Sequence, residues 1–348
     1  MAYSTISKPS LHFNTKLYTG NGSTQSITGV GFQPDFTWLK SRSNANVHAL
    51  FDAVRGVTKR ISSNDTSAEY TEAGALTAFD SDGFSLGNWT STNGNGHTLA
   101  SWNWKAGTTS GITTDGNTTI TPSSYSINQT AGFSILKFTG NGVEGAKLAH
   151  GLGTTPAMVI IKRTSTTGDW VVYHKSLTAT KSVFLNYSDA ETARSPNGYI
   201  YSPDATNITL SNHGDINNNG VTTVAYCFAE KTGYSKFGSY VGNGNADGSF
   251  IYTGFKPAFV IVKQSNSARN WIVMDNKRNS YNVVNKYFKA NSNSAEETTT
   301  YVDFLSNGFK CRDSDTGANE SGGTYIYMAF AEEPLVANVG QSIPATAR

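Results

Sequence analysis

The chain is 348 residues long, enough for two or three domains of ordinary size, each with a buried core. Only 15% of its residues are charged while Gly, Tyr and Phe are abundant, a balance that favours strands and turns over helices. A formal net charge of +2, with lysines and arginines scattered along the chain, excludes the basic footprint that a nucleic-acid partner needs.

In chain order, a polar stretch (1–15) precedes a tight turn, YTGNG (18–22), and then GFQPDFTWLK, whose β-branched and aromatic residues between Gly/Pro turns predict a strand. HALFD (48–52) follows and is predicted to pair with it as a hairpin. Helical signals are confined to short pieces near 51–55 and 67–72, without sustained 3.6-residue periodicity. A Gly-Phe step (83–84) leads to TLASWNWK, where Trp102 and Trp104 alternate with smaller residues, so one side of that strand is core. The Thr/Ser/Gly/Asn tract 107–129 lacks apolar periodicity and reads as a linker or extended arm.

The same grammar then returns twice, opening with FTGNG (138–142) and YVGNG (240–244). Pro34, Pro156 and Pro257 each precede a lysine by six residues: Lys40, Lys162 and Lys263. Eight residues further stand His48, Trp170 and Trp271, and four beyond those Asp52, His174 and Asp275, without an insertion. Ala-Glu pairs ending at Glu69, Glu191 and Glu296, a Gly-aromatic step and an alternating strand complete each copy. Such self-similarity predicts one scaffold used three times. The fold class is therefore all-β, three tandem β-sandwich or jelly-roll domains. The divisions are 1–107 (with an N-terminal arm), a polar linker 108–130, then 131–233 and 234–334, and a C-terminal tail 335–348. The three lysines are expected to share one framework, with the prolines at matching strand entrances.

Candidate ligand or interface residues are few. Asp52 with Arg55, and Asp275 with Arg278, offer planar, multidentate hydrogen bonding to a carboxylate or sugar, although the simpler reading is a salt bridge pinning the strand exit. The middle copy has His174 in place of the acid and lacks the pair. Trp89, in a Gly/Asn/Ser/Thr loop, is the best candidate for an exposed stacking platform, since Trp170 and Trp271 begin strands, where aromatic residues pack inward. Glu69, Glu191 and Glu296 have no second invariant acid beside them, which glycoside hydrolysis would require. DSDG (80–83) and DSDTG (313–317) place carboxylates as Ca²⁺ would want, but at non-equivalent positions, and read as polar turns. Cys227 and Cys311 lack metal-ligand spacing and read as unpaired thiols. No Ser-His-Asp set, HExxH, CxxC or nucleotide fingerprint occurs, so no catalytic residue, cofactor or metal is expected.

Together, YTGNGSTQSITGVGFQPDFTWLKSRS, HALFDAVRG, FDSDGFSLG and ASWNWKAG resemble a repeat unit of virion structural proteins of marine tailed phages, of cyanophage type. The resemblance is tightest over 1–107, looser over 131–232 and 236–334, and reaches the tail GQSIPATAR. It implies lectin-like, concanavalin-type sandwiches on the outside of a particle, and no reaction. The expectation is a non-enzymatic virion surface protein that decorates or stabilises the capsid through other virion proteins, as a homo-oligomer. The alternative is a tail fibre or adhesin recognising host surface glycan. MAYSTISKPSLHFN has no secretion-signal features and no stretch is long enough to span a membrane, so assembly in the host cytoplasm without membrane insertion is expected. The polar ends, 1–15 and 335–348, are expected to be clamped by neighbouring subunits.

Overall fold

The computed structural model describes residues 4–194, 198–314 and 317–334; within them the chain is all-β, with antiparallel strands in several stacked sheets. The tail 335–348 lies outside the described residues. Among the described residues, helix is limited to a 3₁₀ turn, Pro9–Leu11, and two four-residue pieces, Thr90–Asn93 and Gly214–Asn217. The helices anticipated near 51–55 and 67–72 do not form. Ala49–Asp52 is a strand, and the Asp52 carboxylate closes the turn after it by accepting from the Arg55 amide at 2.8 Å. The second piece is drawn out into a two-residue strand, Tyr70–Thr71, against Lys59–Arg60.

One pairing order occurs three times. Phe13–Thr19 pairs with Thr98–Trp104, which pairs with Phe36–Ser41, which pairs with Ala49–Asp52. Phe133–Thr139, Thr222–Phe228, Met158–Arg163 and Val171–His174 repeat that order, as do Ser235–Val241, Thr324–Pro334, Phe255–Gln264 and Ile272–Asp275. Register is preserved too: Phe36 faces Trp104, Met158 faces Phe228 and Phe259 faces Phe330. The anticipated hairpins are the last two strands of each set.

Side chains alternate across a strand, so a sheet covered on both sides needs two apolar sets. Here both exist. On one face Phe36, Trp38, Trp102 and Trp104, Met158, Ile160, Tyr226 and Phe228, and Phe259, Ile261, Met328 and Phe330 meet in a single core drawn from all three repeats. On the other face Leu39, Val159 and Ile161, and Val260 and Val262 enter three separate cores. Further strands close these: a three-stranded sheet of Gln25–Thr28, Leu76–Asp80 and Gly83–Leu86, a pair of Ala146–Ala149 with Asn207–Leu210, and, in the third repeat, Glu297–Leu305, Gly308–Cys311 and Phe250–Tyr252, which continue the main sheet through Val284–Lys289. This layering is consistent with β-sandwich packing, and the larger sheets turn their remaining faces toward one another. The expectation of one core per repeat misses this common centre, where Trp102, Trp104, Trp170 and Trp271 are at most 1% exposed. Each such ring contributes on the order of 3 kcal/mol of apolar burial.

The tract 108–130 is not a free linker. Ser124–Asn128 adds a strand beside Phe133–Thr139, Thr108 pairs with Ile127, and Ile120 pairs with Leu148. Ile120 and Ile127 thereby enter the outer core of the second repeat. Isolated apolar residues in a polar tract show no period, yet two buried isoleucines are enough to pin it.

Candidate functional site

The side chains of residues that recur in all three repeats connect the repeats in a closed ring. Lys40 Nζ donates to its neighbour Ser41 O (3.1 Å) and to Asn293 O of the third repeat (3.2 Å). Lys162 Nζ donates to Arg163 O (3.0 Å) and to Thr66 O of the first (3.1 Å). Lys263 Nζ donates to Gln264 O (2.6 Å) and to Ser188 O of the second (3.1 Å). All three side chains are buried, and burial pulls each ammonium group down to about 8.

A second ring runs in the same direction. Trp170 Nε1 donates to Ser62 O at 2.9 Å, Trp271 Nε1 to Phe184 O at 2.8 Å, and His48 Nε2 lies 3.1 Å from Lys289 O. The His48 substitution preserves the contact because Trp38 Nε1 donates to Nδ1 (2.8 Å), which leaves Nε2 as the protonated nitrogen. Burial holds this imidazole well below its ordinary value, so it stays neutral. A third ring runs the other way: the Glu69, Glu191 and Glu296 amides donate to Thr164 O, Ser265 O and Arg42 O at 2.8, 2.7 and 2.9 Å. The three carboxylates each pair with a lysine of their own repeat, Lys59, Lys181 and Lys286, at 3.9, 3.1 and 3.9 Å.

Asp52–Arg55 and Asp275–Arg278 do not present a surface ligand site. Both are enclosed ion pairs, at 2.5 and 2.6 Å, with side chains at most 1% exposed. Each acid also accepts from another repeat: Asp52 Oδ2 from Tyr226 Oη (2.7 Å) and Asp275 Oδ2 from Trp102 Nε1 (3.0 Å). The equivalent donor position in the third repeat is Met328, which has no N–H or O–H to give. Its counterpart in the second repeat is accordingly not an acid but His174, whose Nε2 lies 3.1 Å from Tyr327 O, and Leu177 replaces the arginine. Burial lowers His174 to about 4. Donor, acid and arginine are thus lost together, as expected if an unpaired buried charge is the costliest arrangement.

Two repeated asparagines escaped the sequence reading. Asn64, Asn186 and Asn291 accept the amides of His48, Trp170 and Trp271 at 2.9, 2.9 and 3.0 Å. An ungapped K-x4-N-x3-A-E pattern, at 59–69, 181–191 and 286–296, was the available signal. Asn93, Asn217 and Asn319 are completely buried and accept from the Asn21, Asn141 and Asn243 amides of the GNG turns at 3.0, 2.9 and 3.0 Å. Glycine opens those turns for a steric reason: a Cβ on Gly20, Gly140 or Gly242 would lie 2.3 Å from a carbonyl oxygen.

Other candidates resolve locally. The Asp82 carboxylate accepts from the amides of Gly29 and Gly31, a polar turn; Asp315 of DSDTG lies outside the described residues. Both cysteines are free and buried, and burial pushes each thiol up to about 12. Among the described residues, no group of three or more His, Cys, Asp or Glu is placed to hold a metal. An open cleft of about 580 Å³ lies where the 108–130 tract leaves the first repeat, lined in part by Asp35, Lys105 and Tyr125. Asp35 fixes the tract there, accepting from the Ala106 amide (2.8 Å) and Ser126 Oγ (2.9 Å). Trp89 is half-buried against the first repeat's outer core, with Arg60 across its ring.

Comparison with curated proteins and with solved structures finds no match. A single family model spans residues 8–334, and therefore all three repeats as one unit. The chain belongs to that family, DUF7483, a domain of unknown function.

Proposed function

We propose that this chain is a non-enzymatic structural protein of a phage particle surface, three tandem β-sandwich domains of jelly-roll or concanavalin-like type closed into a ring, that decorates or stabilises a capsid. One observation carries the reading: the lysines, glutamates and asparagines that recur in all three repeats are held by partners within the chain. A scaffold whose recurrent polar residues all serve cohesion suits an architectural role. Its contacts would be with other virion proteins and further copies of itself, after assembly in the host cytoplasm. Mass spectrometry and immunogold labelling of purified particles test this; many copies per particle are expected, and absence from intact particles refutes it. The rival reading, a tail fibre or adhesin for host glycan, draws on the half-exposed Trp89. Binding to host cells without binding to stripped capsids would favour it.

A further inference from the structure

Of the six tryptophans, five lie in the common core with at most 2% exposure; Trp89 alone reaches the surface. Its neighbours are distinctive. The Arg60 guanidinium carbon lies 5.1 Å from the Trp89 ring centroid and 4.5 Å from that of Tyr70, so one cation bridges two rings. Tyr70 is 47% exposed, and Thr71, Asn88 and Thr90 are exposed around it. Arg60 itself is only 8% exposed. Its Nη1 donates to Ser62 Oγ, but its Nε is buried without an acceptor, an arrangement that is unfavourable unless something completes it.

The scaffold does not require this cluster. Ser182 and Tyr287 occupy the place of Arg60 in the other repeats, and His213 that of Trp89 in the second, while the surrounding strands keep their order. A feature present in one repeat of three is not demanded by the fold.

We propose that the first repeat carries a binding ledge for a neutral saccharide, formed by Tyr70, Trp89 and Arg60. The ring faces would stack on the C–H face of a pyranose, and its hydroxyls both accept and donate. They would accept from Arg60 while donating to Asp65 or Glu72, the carboxylates that act on that guanidinium. An anionic ligand would meet those two carboxylates, and an apolar one would leave the Arg60 donor unsatisfied.

The test uses the full chain and four uncharged tetrasaccharide probes: chitotetraose, maltotetraose, laminaritetraose and cellotetraose. Titration calorimetry detects binding, and tryptophan fluorescence reports its place, because Trp89 is the one indole within reach of solvent. At least one probe is expected to bind and to shift the emission. Tyr70→Ala, at an exposed position that leaves the fold intact, and Trp89→Phe are expected to weaken binding tenfold or more, with melting temperature held. Binding by none of the four, or binding that both variants retain, would overturn the proposal. It stands apart from the particle assignment: a chain that binds sugar but is absent from virions keeps this site and loses that role.

Discussion

Removing Asp52 probes the inter-repeat network at its most demanding point. Asp52→Ala deletes the acceptor of Arg55 Nε (2.5 Å), of Tyr226 Oη (2.7 Å) and of the Arg55 amide (2.8 Å) in one step. The guanidinium would retain Leu50 O (3.0 Å), Lys59 O (2.9 Å) and a half-buried Glu69 at 3.2 Å, so its charge is only partly compensated. Breaking a buried pair costs about 3–5 kcal/mol, and the Tyr226 O–H, which loses its acceptor while its oxygen still accepts from Arg55 Nη2 at 3.5 Å, adds roughly 1–3 kcal/mol. Asp52→Ala/Arg55→Leu imitates the acid-free second repeat and should recover about 2–3 kcal/mol of that loss, because no buried charge is stranded. Tyr226→Phe alone should cost only about 1–2 kcal/mol. Urea unfolding at constant m-value measures these three and Arg55→Leu alone. A double variant as unstable as the sum of Asp52→Ala and Arg55→Leu would refute the explanation of why His174 and Leu177 occur together.

Stability should also depend on pH in an unusual sense. Each buried lysine sits at about 8 when folded, against an ordinary 10.5. Below pH 8 both states are protonated and the folded chain carries the whole desolvation penalty. Above it the unfolded chain binds more protons, so stability rises, by at most roughly 1.4 kcal/mol per pH unit per lysine. Urea midpoints should therefore climb between about pH 8 and 9.5, where the three lysines outweigh the two buried thiols, which ionise only in the unfolded chain and act in the opposite sense; replacing Lys40, Lys162 and Lys263 by Met should abolish or reverse the rise. Gly140→Ala places a Cβ 2.3 Å from Asn218 O and should lower stability by about 1–3 kcal/mol, read as a fall in melting temperature. Trp170→Phe leaves Ser62 O without its indole donor, and a loss of about 1–3 kcal/mol is expected in the same assay.

The sequence exposed what is local and periodic. Gap-free spacing from Pro34 to Asp52, and its two recurrences, was enough to place three equivalent strand pairs. The common core was hidden because alternation in TLASWNWK asks for one buried face and says nothing about what buries the other. Asn64, Asn186 and Asn291 were lost among many asparagines, since an Asn acceptor has no periodic signature in a polar loop. The dependence of Asp52 on Tyr226, and of Asp275 on Trp102, links positions more than a hundred residues apart, beyond any window of local pattern. Trp89 was legible as a surface aromatic, but its partners Arg60 and Tyr70 arrive from a ribbon that no propensity marked.

All of this depends on three repeats folding around one centre rather than standing as separate beads. Scanning calorimetry of the intact chain addresses that most directly, by comparing calorimetric with van't Hoff enthalpy. A single transition with a ratio near one is the predicted result; two or three resolved transitions, each about one repeat in size, would contradict it.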